Sequence, residues 1–134
     1  MNQSLGNTFC KRERMVSRKL MEQLFGGGHS RSASVFPVRV VYMEVDRSVT
    51  DTPVQVLISV SKRHFKRAVK RNRVKRQIRE GYRLNKHILI DAVNLKRENK
   101  AIALAFIWQA DSLYETHEVV ACVKLLLQRI SERL

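Results

Sequence analysis

The chain has 134 residues, the size of one domain, and its composition of 44% hydrophobic and 28% charged residues is that of a globular protein. Its 26 lysines and arginines outnumber its 12 acidic residues, and the net charge of +14 indicates an anionic partner, either nucleic acid or an acidic membrane surface. The longest apolar run, from Ala101 to Trp108, has eight residues and excludes a membrane-spanning helix, which needs about 20.

The N-terminal residues indicate the domain bounds, and the two cysteines indicate the cellular compartment. Residues 1–10 lack the basic start and apolar stretch of a secretory signal, so we expect a flexible segment there and one domain over residues 11–134. Cys10 and Cys122 are far apart in sequence. Two reduced thiols in a cytoplasmic protein are the expected state, with a single disulfide as the alternative.

Residues 11–25 predict an amphipathic helix. Its apolar residues fall on one face, and three glycines follow at the point where the helix should end. These residues are Leu20, Met21, Leu24 and Phe25, followed by Gly26, Gly27 and Gly28. Residues 29–34, with the sequence HSRSAS, predict a loop.

Two strands are predicted next, over residues 35–45 and 54–60. In the first strand alternate residues share a face, and Pro37, which has no backbone donor, places the strand at a sheet edge or marks its start. One face carries Phe36, Val38, Val40 and Tyr42, and the other carries Val35, Arg39, Val41 and Met43. In the second strand the inward residues are Val54, Val56, Ile58 and Val60.

The second half of the chain predicts helix, strand and helix. Residues 71–83 place Val74, Ile78 and Tyr82 on one buried stripe, and a polar region over residues 91–100 precedes a strand over residues 101–108. A capping box at Ser112 and Glu115 begins the last helix. Its core stripe is Val119, Val123, Leu126, Leu127, Ile130 and Leu134. This order predicts an α+β fold, a single-domain sandwich in which helices pack on a small mixed sheet.

The segment from Lys62 to Lys86 is strongly basic. It holds twelve of the 26 lysines and arginines and a single acidic residue, Glu80. On the predicted helix, like charges lie three or four residues apart and destabilise each other unless an anion binds them. A solvated charged surface is the alternative, but such surfaces normally alternate in sign, so the pattern favours polyanion binding.

Catalytic motifs are absent from the sequence. His29, His64, His87 and His117 are scattered, and no metal-ligand spacing, nucleophile motif or phosphate-binding loop occurs. We therefore expect no catalytic residue and no metal site in the protein alone.

The basic segment also carries a specific pattern. VSKR at residues 60–63, at the end of a strand, is followed at residues 71–83 by RNRVKRQIREGYR on a helix. This pattern resembles the bacterial ribonuclease P protein family. The chain departs from the family in having Met21 where many members have an aromatic residue, and a link over residues 63–70 that has no glycine and is one residue longer.

The resemblance implies a protein subunit of the ribonucleoprotein that removes the 5′ leader of precursor tRNA. The catalytic RNA would carry the active site and its Mg²⁺ ions, and the protein alone would bind no cofactor. Its partners would be this RNA and precursor tRNA, with no DNA and no membrane. The family also implies a left-handed crossover between the strands that flank the basic helix, against the usual handedness.

Site residues follow from the same resemblance. The implied RNA-binding residues are Lys62, Arg71, Asn72, Arg73, Lys75, Arg76, Arg79 and Arg83, extended by Lys11, Arg12, Arg63, Lys66 and Arg67. A cleft for the single-stranded leader would contain Met21, Phe25, Phe36 and Tyr42, for which plain core packing is the alternative. A structural RNA-binding protein, such as a ribosomal protein, is the alternative function. A stand-alone nuclease would need acidic metal ligands or a general base that the sequence does not show.

Overall fold

The computed structural model describes residues 13–15, 17–26, 28–49 and 52–134. The predicted flexible segment over residues 1–10, and Lys11 and Arg12, lie outside the described residues. The elements are helix α1 (Arg18–Gly26), strands β1 (Arg31–Val35) and β2 (Val38–Asp46), a 3₁₀ turn (Arg47–Val49), strand β3 (Val54–Ser59), helix α2 (Ala68–Lys96), strand β4 (Lys100–Trp108) and helix α3 (Thr116–Glu132).

The four strands form one mixed sheet in the order β1-β2-β4-β3. Strand β2 pairs antiparallel with both β1 and β4, whereas β3 pairs parallel with β4. Because β3 and β4 are parallel neighbours, α2 is the crossover between them. The α+β fold with a small mixed sheet is therefore confirmed, and the handedness of the crossover stays a prediction.

Both faces of the sheet are covered by helices. Along β2, Val40 and Tyr42 belong to the main core with α2 and α3, and Val41 and Met43 belong to a second core under α1. This alternation was predicted from the sequence. The predicted helical stripes are confirmed as well, because their members are buried in the main core or, for Leu134, packed against it. They are Val74, Ile78 and Tyr82 on α2, and Val119, Val123, Leu126, Leu127, Ile130 and Leu134 on and after α3.

The first strand contradicts the sequence prediction. Residues 31–34, predicted as a loop, belong with Val35 to the edge strand β1. Strand β2 begins at Val38, so the prediction that Pro37 marks the start of a strand is confirmed, whereas the edge position is wrong because β2 lies between β1 and β4. In the sequence RSASV only two small apolar residues, Ala33 and Val35, alternate with serines, which is too weak a pattern to predict a strand. The carbonyls of β1 are held in part by Arg129 of α3 and by Arg133, the residue that follows α3, which donate to the backbone oxygens of Ser34 and Ser32 at 3.0 and 3.2 Å.

Helix boundaries also differ from the predictions. Helix α2 continues through residues 91–96, part of the predicted polar region over residues 91–100, because Leu89 and Val93 continue its buried stripe one turn apart. Helix α3 begins at Thr116, and the capping box is formed by Glu115 and Glu118 and not by Ser112 and Glu115. In the part of the chain that the structure describes, no helix has the length and apolar character needed to cross a membrane.

Candidate RNA-binding surface

Helix α2 carries a basic face, defined here as Asn72, Arg73, Lys75, Arg76, Arg79 and Arg83. Asn72, Arg73 and Arg76 are exposed, and the other three are half-buried. The stripe on the other side of the helix is fully buried, so the core fixes which side chains point outward. The helix therefore presents guanidinium and ammonium groups on a rigid support, and arginine side chains can bind phosphate oxygens bidentately.

The acid within this segment is engaged by a neighbour. The Arg83 guanidinium donates to both carboxylate oxygens of Glu80 at 2.9 and 2.8 Å, and its hydrogen bond lowers the pKa of that carboxyl. Glu80 therefore compensates the positive charge of Arg83. Asn72, Arg73 and Arg76, nearer the N-terminal end of the helix, are exposed.

Arg71 differs from the other predicted RNA-binding residues. Its guanidinium donates to the backbone oxygens of Phe65 and Lys66, both at 2.8 Å, and therefore holds the loop that leads into α2. Nothing in the sequence indicated this role, because the acceptors are main-chain atoms. A contact between Arg71 and RNA stays a prediction.

The loop before α2 extends the basic surface. Lys62, Arg63, Lys66 and Arg67 are all exposed. The loop is anchored by Phe65, which is buried in the main core, and by His64, whose Nδ1 lies 2.7 Å from a carboxylate oxygen of Asp111. The four cations are consequently held close to the N-terminal end of the basic face.

A second feature is a groove between α1 and the sheet, which we call the α1 groove. It has a volume of about 330 Å³, and its lining includes Leu24, Phe25, Arg31, Arg39, Val41 and Ile107. Phe25 is 52% exposed, whereas Leu24 beside it is buried in the second core. The groove thus combines an exposed aromatic ring, apolar side chains from the sheet, and arginines.

The four residues predicted for a leader cleft do not line one site, which corrects that grouping. Tyr42 is 4% exposed and faces the opposite side of the sheet from Phe25, where Arg133 donates to its hydroxyl at 3.4 Å. Phe36 is 63% exposed in the turn before β2 and packs edge-on against Tyr114. Met21 is half-buried against the second core. Strand alternation separates Tyr42 from α1, and the same alternation places Arg39 and Val41 in the groove, which the prediction missed.

Comparison with known protein families matches residues 9–124 to the family described as Ribonuclease P. The chain belongs to the ribonuclease P protein family. It is 39% identical over 122 residues to the ribonuclease P protein component of Porphyromonas gingivalis strain W83, a match that covers 90% of this chain and 85% of that protein. A shorter match of 60 residues, 45% identical, to the ribonuclease P protein component of Chlorobaculum tepidum covers 43% of this chain and 39% of that protein.

Solved structures agree with the fold. The ribonuclease P protein from Thermotoga maritima superposes with a TM-score of 0.65 at 21% identity, covering 88% of this chain and 97% of that one. The protein from Staphylococcus aureus gives a TM-score of 0.59 at 20% identity, covering 92% of each chain. Family membership confirms the prediction that the chain is the protein subunit of ribonuclease P, a tRNA-processing enzyme, and that it associates with the ribonuclease P RNA. No match supports the ribosomal alternative.

Proposed function

We propose that this ribonuclease P protein binds the catalytic RNA through the basic face of α2 and the loop before it, and binds the 5′ leader of precursor tRNA in the α1 groove. The observation that supports the first part best is the exposure of Asn72, Arg73 and Arg76 on the part of α2 where the one acid of the segment from Lys62 to Lys86, Glu80, is engaged by Arg83. Repulsion among these cations is relieved when RNA phosphates bind them.

The α1 groove has the chemistry of a site for single-stranded RNA. Unpaired bases stack on exposed aromatic rings, and Phe25 offers one at the groove wall. Val41 and Ile107 supply an apolar surface, and Arg31 and Arg39 supply positive charge for the phosphates. A leader strand would therefore find stacking and charge in one place.

The chemistry itself is proposed to come from the RNA subunit. Among the described residues, no group of three or more histidine, cysteine, aspartate and glutamate side chains is placed to hold a metal ion. We propose that Mg²⁺ enters with the RNA, that the protein binds no cofactor of its own, and that the assembly acts in the cytoplasm.

Two substitutions on α2 test the proposed RNA surface. Replacing Arg76 and Arg79 by alanine should weaken binding to ribonuclease P RNA and lower the slope of log K against log salt by roughly 0.7–0.9 for each phosphate that the variant no longer binds. Lys124→Ala, at an exposed lysine of α3, is the matched control and should leave the slope unchanged apart from a small general charge effect. An unchanged slope in the double variant would remove this helix face from the RNA interface.

The leader groove is tested by comparing precursor tRNA with mature tRNA. Phe25→Ala should weaken binding of the precursor by the assembled enzyme about 5-fold or more, since stacking on an aromatic ring is worth roughly 1–3 kcal/mol per base, and should leave mature tRNA binding unchanged. Phe36→Ala removes a more exposed ring outside the groove and should change neither. Equal losses for both tRNAs, or a larger loss for Phe36→Ala, would contradict the assignment.

A further inference from the structure

The segment just before α1 is tied into the molecule by a buried ion pair. The Lys86 ammonium donates to both carboxylate oxygens of Glu13, at 2.9 and 3.2 Å. The Lys86 side chain is 2% exposed and that of Glu13 is 0% exposed, although the two residues are 73 positions apart in sequence. Desolvating a charged pair this deep costs much free energy, and nothing in the RNA-binding surface described above uses it.

A second anchor lies two residues later. The Met15 backbone N–H donates to the Val56 backbone oxygen at 2.8 Å, and Arg14 forms a parallel bridge with Val56 on the outer side of β3. Met15 itself is buried in the second core. Arg14 is therefore an exposed residue held between two buried ones, Glu13 and Met15.

These anchors bring Arg14 to the edge of the basic face. Arg14, Lys75 and Arg79 line one groove of about 210 Å³, here called the β3 groove, together with Met15, Leu57 and Ile58. None of the described residues that line it is acidic. Three cations from two separate parts of the chain thus converge beside an apolar surface, which suits a backbone phosphate and its attached nucleotide.

The ion pair also fixes the register of the segment. Both sequence neighbours of Glu13 are arginines, Arg12 and Arg14. A shift of the segment by one residue in either direction would place a guanidinium against the buried Lys86 ammonium, an arrangement that like-charge repulsion strongly disfavours. An apolar pair at these positions would hold the segment without this selectivity.

We propose that Arg14 is a further RNA-binding residue and that Glu13 and Lys86 are its positioning residues, which set it beside Lys75 and Arg79 so that the β3 groove binds an RNA backbone phosphate. The proposal rests on the function proposed above, since it assumes that RNA occupies this side of α2. The phosphate can come from the catalytic RNA or from the leader of precursor tRNA.

The experiment measures RNA affinity and its salt dependence for the full chain. Arg14→Ala should weaken binding about 5-fold at roughly 0.15 M salt and lower the salt slope by roughly 0.7–0.9, the effect of binding one phosphate fewer. A loss seen with ribonuclease P RNA alone assigns the phosphate to that RNA. A loss seen only when the assembled enzyme binds leader-bearing precursor assigns it to the leader. Either supports the proposal, and no loss in both arms overturns it.

The positioning role is tested by a double-mutant cycle. Glu13→Gln should weaken RNA binding, but combined with Arg14→Ala it should cost no more than Arg14→Ala alone, because Glu13 acts on RNA only through Arg14. The exchanged pair Glu13→Lys with Lys86→Glu keeps the net charge and should recover most of the affinity lost in Glu13→Gln. Additive losses in the cycle, or no recovery in a folded exchanged variant, would overturn the positioning role.

Failure of this inference is distinguishable from failure of the proposed function. If Lys75→Ala with Arg79→Ala weakens RNA binding while Arg14→Ala does not, α2 binds RNA and only the role of Arg14 is refuted. If neither variant changes RNA affinity, the β3 groove does not bind RNA, and this inference fails together with the part of the proposed function that assigns Lys75 and Arg79 to the RNA surface.

Discussion

Replacing Lys86 by methionine should destabilise the fold far more than an ordinary substitution of a lysine. Methionine has a similar length and fills the space, but the Glu13 carboxylate, 0% exposed, then loses the Lys86 ammonium that compensates its charge. Removing one partner of a buried pair typically costs about 3–5 kcal/mol, a large share of the roughly 5–15 kcal/mol that stabilises a domain. With an unfolding entropy of about 0.28 kcal/mol/K for a chain of this length, Tm should fall by roughly 11–18 °C.

Urea unfolding of three variants measures this cost. Lys86→Met alone should show the full loss, whereas Lys86→Met combined with Glu13→Leu should recover most of it, because an apolar pair of similar size removes both charges. The exposed pair of Lys100 and Asp46, with side chains 45% and 70% exposed, supplies the control. Lys100→Met should cost less than about 1 kcal/mol. A loss under about 1 kcal/mol for Lys86→Met, or no recovery in the double variant, would show that Lys86 does not compensate a buried charge on Glu13.

Two further predictions concern the packing of α2 on α3 and the chemistry of a thiol. A Cβ at Gly81 would lie 3.0 Å from the Cβ of Val123, so Gly81→Val should lower the free energy of unfolding by about 1–3 kcal/mol. A Cβ at Gly26 meets nothing within 4 Å, so Gly26→Ala should be nearly neutral. Equal effects of the two substitutions in urea unfolding would contradict this prediction. Burial, together with a neighbouring carboxylate, raises the pKa of the Cys122 thiol. In a Cys10→Ser variant, Cys122 should therefore be alkylated at about pH 8 more slowly than a free thiol of ordinary pKa. A rate equal to that of such a thiol would refute the assignment.

The sequence predicted those parts of the fold that depend on local periodicity. The stripes on α2 and α3 and the two faces of β2 follow from spacing alone, because each apolar residue packs where its periodicity places it. Strand β1 could not be predicted in this way. Its sequence RSASV has little apolar content, and its place at the sheet edge depends on pairing with β2 and on hydrogen bonds from Arg129 and Arg133.

In the candidate site, too, the features set by local sequence pattern were predicted and those set by distant contacts were not. The basic face of α2 was predicted from a contiguous motif, and the structure exposes Asn72, Arg73 and Arg76 on it. Two interactions could not be predicted from a single sequence. Arg71 donates to backbone oxygens of the loop, which every residue carries, and Glu13 pairs with Lys86, which is 73 positions away in sequence. Tyr42 was assigned to the leader cleft by resemblance, and one step of strand alternation places it on the other side of the sheet from Phe25.

The role of this protein as a subunit of ribonuclease P is best measured by cleavage of precursor tRNA by a bacterial ribonuclease P RNA at low Mg²⁺, with and without the protein. We expect strong stimulation by the protein, largely lost when Arg76 and Arg79 are replaced by alanine and retained in Lys124→Ala. Absence of stimulation by a protein that still binds the RNA tightly would contradict this role, as would cleavage by the protein without added RNA.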